Sequence, residues 1–157
     1  MSQLITTYLQ DHRAGSVAGV DAFRRVAEGH GDPEVRTAVA RIAEEVEADQ
    51  ADHERIMAAV GAQSSALKDI PAKIGEKVAR LKPNERITKR SPLSDVLELE
   101  VLVMAVHGKW LGWRMLVELD DPRLDRADLE RLADRAWAQH EELDRLRLSQ
   151  AAELLQD

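Results

Sequence analysis

Residues 62–91 read AQSSALKDIPAKIGEKVARLKPNERITKRS, and this stretch decides how the helices on either side of it are arranged. Ile70, Ile74, Val78 and Leu81 recur at helical spacing, which predicts a short amphipathic helix with Pro71 near its start and Lys73, Lys77 and Arg80 on its polar side. The stretch LKPNERITKR reads as extended or irregular chain. Antiparallel neighbours need only a handful of residues to join them. A helix of ~26 residues is ~39 Å long, so a connector of thirty residues fits a crossover along a whole bundle. The helices before and after it are then expected to run parallel.

Working outward, the helix upstream opens with Asp32 as N-cap and Pro33 at the first helical position and ends at Gly61. Its apolar line runs Val35, Val39, Ile42, Val46, Asp49, His53, Ile56, Val60, in strict steps of four and three. Two polar residues therefore stand on a core-facing stripe. A first helix, from about Gln3 to Glu28, carries Ile5, Tyr8, His12, Gly15, Gly19, Phe23 and Val26 on one side before GHGD breaks the chain. Gly15 and Gly19 cost helix propensity, and the expected return is close approach of a neighbouring helix.

Downstream, Ser91-Pro92 opens a third helix that ends near Asp120-Asp121-Pro122. It is apolar nearly all round, from Val96 through Val106, which predicts a central, largely buried element. Two polar lines interrupt it, one of Ser94, Glu98 and Lys109, the other of Glu100, His107, Arg114 and Glu118. Trp110, Trp113 and Val117 continue its apolar stripe and read as core. A fourth helix is expected from about Leu124 to Leu155, with Leu129, Leu132, Ala133, Ala136, His140, Leu143, Leu146 and Leu154 inward. The expected architecture is all-α: one domain over residues 1–157, an antiparallel four-helix bundle whose crossover lies at 62–91.

Composition bounds the function. The chain has 157 residues, no cysteine and a net charge of −7. There is thus no disulfide framework, thiolate metal site or thiol nucleophile. The acidic balance argues against nucleic acid as a partner. Residues 68–90 carry eight Lys or Arg against three Asp or Glu, leaving −12 for the remainder, so a basic connector accompanies an acidic body. The N-terminal residues MSQLITTYLQDHR do not read as a signal peptide, so none is expected, and the apolar run Val101–Val106 is too short to span a bilayer. A cytoplasmic protein is expected. No glycine-rich phosphate loop and no G-x-S-x-G elbow occurs.

A weak internal repeat pairs Ala51-Asp52-His53-Glu54-Arg55-Ile56 with Ala138-Gln139-His140-Glu141-Glu142-Leu143. With its paired helices, long crossover and His-Glu steps on helices 2 and 4, the chain resembles the ferritin-like superfamily. More closely it resembles a group of uncharacterised bacterial proteins of similar length. That resemblance rests on Tyr8-Leu9-x-Asp11-His12-x-Ala14-Gly15-x-x-Ala18-Gly19-Val20, Glu76-Lys77-x-x-Arg80-Leu81-Lys82-x-Asn84, Pro92-Leu93-Ser94, Glu98-Leu99-Glu100, Gly108-Lys109 and Trp113. It implies the bundle and brings no reaction with it. Di-iron members present Glu-x-x-His on two helices, so that side chains at i and i+3 converge on a metal pair. Here the residues three before each histidine are Leu9, Ala27, Gln50, Met104 and Trp137, none of them a carboxylate.

The remaining candidate cluster is polar residues on apolar stripes. His12 is expected level with Asp49, His53 one turn from Asp49, and Glu100 roughly level with His140. These five are the types of ligand that hold Fe, Mn or Zn. The competing reading is a buried hydrogen-bond network of Asp49–His12 and Glu100–His140 pairs that fixes register. The primary expectation is a non-catalytic binding or assembly module, with no cofactor, no catalytic residue, no nucleic acid and no membrane span, completed by a second copy or a protein partner. The alternative is a degenerate Fe, Mn or Zn site at those five residues.

Overall fold

The computed structural model describes residues 3–62 and 91–155, and among these every regular element is helical. Four helices, α1 (Gln3–Gly29), α2 (Pro33–Ala59), α3 (Pro92–Leu119) and α4 (Arg126–Ser149), pack together, and a short 3-10 turn (Ala151–Leu155) follows. The helix expected within the connector falls on residues 63–90, outside the described residues.

The boundaries follow local chemistry. Asp32 accepts from Glu34 N at 2.8 Å and Pro33 begins α2. Gly61, with φ of 72°, takes the left-handed conformation just beyond its end, where a side chain is strained. Ser91 caps α3 through Ser94 N. The fourth helix starts later than expected, at Arg126, because the Asp125 carboxylate caps Ala127 N and Asp128 N. It also stops at Ser149, so Leu154 lies exposed beyond it and not on its inner side.

Every member of the predicted α2 stripe is buried, Asp49 and His53 included. One apolar cluster joins Phe23, Val26, Val39, Ile42, Leu99, Leu102, Leu143 and Leu146; another joins Leu9, Ile56, Trp113, Leu116, Leu129 and Leu132. Burying a side chain of this kind contributes about 1.5–3 kcal/mol relative to exposure, which is what holds the four helices together.

The third helix departs from expectation. Leu93, Leu97, Met104, Leu111 and Met115 are 49–62% exposed. In the structure α3 packs chiefly on α1 and α4, so among the described residues one of its sides lies outside helix contact. An all-round apolar sequence did not make it the centre of the bundle.

Candidate functional site

The core is polar at one level, and that level divides into two regions. On the α2–α4 side, Asp49 is nearly fully buried and pairs with both Lys109 and Arg135, whose Nε donates at 2.8 Å. Lys109 Nζ also donates to Gln139 Oε1, and Gln139 Nε2 donates to Glu45 Oε2 at 2.9 Å. Arg135 reaches Asp52 at 3.1 Å. Burial pulls the Lys109 ammonium below its ordinary pKa, against the opposing pull of Asp49. A buried charge must be paired and hydrogen-bonded to be tolerated, and this network meets that condition for Asp49, Lys109 and Gln139.

On the α1–α3 side a cavity of about 320 Å³ opens, floored by Val46, Asp49 and His53 of α2. Gly15, Gly19, Gly108 and Gly112 line it. A Cβ built on Gly15, Gly19 or Gly108 meets nothing within 4 Å among the described residues. The glycines of α1 therefore open space and do not bring a neighbouring helix close, contrary to the expectation from the stripe. Gly112 differs: a Cβ there would lie 2.8 Å from His12 Cε1, so its lack of a side chain makes room for the imidazole. That ring lies 4.6 Å, between centroids, from Tyr8.

Two further polar groups belong to residues lining the cavity. Ser16 Oγ and Trp113 Nε1 are buried with no hydrogen-bond partner among the described residues. Trp113 as a whole is only 3% exposed. An unsatisfied buried donor or acceptor costs about 1–3 kcal/mol. His53 is better placed. Its Nε2 lies 2.8 Å from the Leu9 carbonyl oxygen, an acceptor only, so Nε2 carries the proton and donates. Burial depresses the pKa of His53, offset in part by that bond, and burial likewise depresses that of His12 against the pull of Asp11. Two imidazoles that resist protonation thus border the same space.

Of the five residues expected to gather, His12, Asp49 and His53 line this cavity, although the Asp49 carboxylate turns to α3 and α4 and not to His12. Glu100 and His140 stand elsewhere, on α3 and α4. Glu100 lies 3.8 Å from Arg147. His140 stacks on Trp137, with centroids 4.9 Å apart and planes at 13°, and lies 5.2 Å from His107. In the observed register His140 stands beside His107, and Glu100 meets Arg147 two turns beyond His140. Glu100, His107 and Arg114 do not act as one line: Arg114 lies 3.9 Å from Glu118, and His107 belongs to the ring cluster with Trp110, Trp137 and His140.

Sequence reasoning missed Arg135 and Gln139. Arg135 sits among the charges of the outer α4 face, and nothing local separates it from them. Lys109 did leave a signal, as a lone ammonium on the most apolar helix. Among the described residues no group of three or more His, Asp or Glu side chains is placed to hold a metal ion, and no helix is long and apolar enough to cross a membrane. No protein-family model, curated protein or solved structure matches the chain.

Proposed function

We propose that the chain is a non-catalytic binding module on a ferritin-like bundle, and that the cavity between α1, α2 and α3 is its ligand site. The observation that carries this reading is the pair of unpartnered buried groups, Ser16 Oγ and Trp113 Nε1, on residues lining a space of about 320 Å³. A cavity of this volume lined by apolar side chains with a few polar groups has the character of a small-molecule site. Its ligand is a compact uncharged molecule with a carbonyl or hydroxyl acceptor, because Trp113 Nε1 can only donate and the buried charges at the cavity, Asp49 and Lys109, already pair with each other.

The topology is part of the proposal. Along α2 and α4 the pairs Arg41–Glu142, Asp49–Arg135 and Arg55–Asp128 step in opposite directions. So do Arg13–Glu54 and Arg24–Glu47 along α1 and α2, and Glu100–Arg147 and Lys109–Gln139 along α3 and α4. The Gly31–Asp95 hydrogen bond and the His12–Gly112 contact do the same for α1 and α3. Antiparallel neighbours on every side leave α2 and α3 parallel, as a long crossover requires.

The alternative, a degenerate Fe, Mn or Zn centre, has a donor set that does not fit. Asp49 is engaged by two cations, and Glu100 and His140 stand apart from His12 and His53. Elemental analysis of protein purified without chelator is expected to show no stoichiometric Fe, Mn or Zn. One equivalent of any of them, lost in a His53→Ala variant that keeps its helical circular dichroism, would favour the metal reading.

The binding reading is tested with prodan, a neutral aromatic ketone whose emission reports polarity. Saturable binding with a blue shift is expected, weakened at least tenfold by Gly19→Leu, which places a side chain in the space. Equal binding by native protein and Gly19→Leu, or no saturable binding, would overturn it.

A further inference from the structure

Five of the six exposed large apolar residues of α3 form a palindrome, with the sixth, Leu119, at the very end of the helix and outside the row. Leu93, Leu97, Met104, Leu111 and Met115 are spaced four, seven, seven and four, so the row reads the same from either end. At about 100° per residue they fall within about 40° of one another on the helix, and each is about half exposed. Met104 stands at the centre of the row and also lines the cavity between α1 and α3.

We infer that a second copy of this chain docks on this row, with the two α3 helices antiparallel about a two-fold axis at Met104. Self-complementarity is what a closed two-fold contact demands: if one residue touches another across the axis, the reverse contact must also form. Antiparallel pairing sets Leu93 against Met115 of the second copy, Leu97 against Leu111, and Met104 against Met104. A parallel pairing in register sets each of the five residues against itself, and sliding it by seven residues keeps only two of the five contacts. The flanking charges suit the antiparallel arrangement. Glu100 falls opposite Gly108 and Arg114 opposite Ser94, so no like charges meet along the seam.

Area argues the same way. Five half-exposed side chains present on the order of 400 Å² of contiguous apolar surface per copy, the size at which such patches are often functional. The second copy's Met104 would then lie over the mouth of the cavity, so the ligand site is incomplete in one chain. This last step rests on the cavity being a binding site; the docking itself does not.

The chain has no cysteine, so single-cysteine variants report the register directly. Met104→Cys is expected to cross-link to itself under mild oxidation. Leu93→Cys and Met115→Cys are expected to cross-link to each other when mixed, and far less each to itself. Light scattering is expected to give twice the 17.6 kDa of one chain, and Leu97→Glu to halve that mass with helical circular dichroism retained. A single-chain mass up to hundred-micromolar protein would overturn the inference. So would Leu93→Cys coupling to itself as readily as to Met115→Cys. A monomer in which Met104→Cys resists alkylation would assign the row to residues of the same chain and overturn it equally. The two proposals fail separately: a dimer of this register that binds no prodan refutes the cavity reading alone, and a monomer that binds it refutes the docking alone.

Discussion

The two sides of the polar level in this bundle meet the same physical demand in opposite ways. Between α2 and α4, Asp49, Lys109, Arg135, Gln139 and Glu45 form a network in which buried charge is answered by charge and amide by carboxylate. Between α1 and α3, glycines open a space bordered by two imidazoles with depressed pKa values, and Ser16 Oγ and Trp113 Nε1 have no partner among the described residues. A closed network gives stability and register; an open one gives somewhere for a ligand to sit. The contrast supports placing the proposed ligand site on the α1–α3 side, because there two unpartnered buried groups belong to residues that line a cavity.

The sharpest way to break this comparison is at Asp49. Asp49→Ala leaves Lys109 and Arg135 without their shared carboxylate, and a loss of about 3–5 kcal/mol is expected for breaking a buried pair from one side. Urea unfolding measures it; a loss within experimental error of zero would show that the network is not what secures the α2–α4 side.

The next effect separates glycines that look alike in sequence. Gly112→Ala drives a methyl into His12 and is expected to cost about 1–3 kcal/mol as overpacking. Gly19→Ala enters open space and is expected to stabilise the protein by about 0.5–1 kcal/mol through helix propensity alone. The same urea titration reads both. A loss of stability in both would mean that α1 and α3 pack closely at Gly19 as well.

The smallest effect is in pH. His12 and His53 both have folded-state pKa values below the ordinary 6.5. Above that value neither the folded nor the unfolded chain binds the proton, and the histidines add no pH dependence. Below it the unfolded chain takes up protons that the folded imidazoles refuse, so stability falls as pH drops, until the folded values are reached. Thermal melts between pH 7 and pH 5 should show this decline, shallower in His53→Gln. An unchanged slope in that variant would place the acid sensitivity elsewhere.

Much of the fold was legible. The four-three stepping of Val35 to Val60 gave the buried face of α2, polar members included, because periodicity records which side faces inward whatever the residue type. The Asp32-Pro33 and Ser91-Pro92 pairs marked two helix starts, because capping is local chemistry. The start of α4 was misplaced by two residues because Leu124 reads as apolar pattern while the cap is Asp125; the pairing of Glu100 with Arg147 in place of His140 is a matter of inter-helix register, which local pattern does not carry. The solvent-facing row on α3 was hidden for a different reason: an apolar helix looks the same whether helices surround it or leave one side open.

The candidate site was legible only in part. His12, Asp49 and His53 announced themselves as polar residues on an apolar line, and all three border the cavity. What each does could not be read from that line.

The sequence by itself determined that helices form, roughly where they begin and end, and which face of each turns inward, since propensity, capping and periodicity act over a few neighbouring residues. Only the tertiary structure decided that Asp49 answers Lys109 and Arg135, that Gly112 yields to His12 while Gly15 and Gly19 open space, and that the row centred on Met104 is uncovered by the other described helices. Those outcomes depend on the rotation and register of one helix against another, which are set by the packing of side chains far apart in the chain.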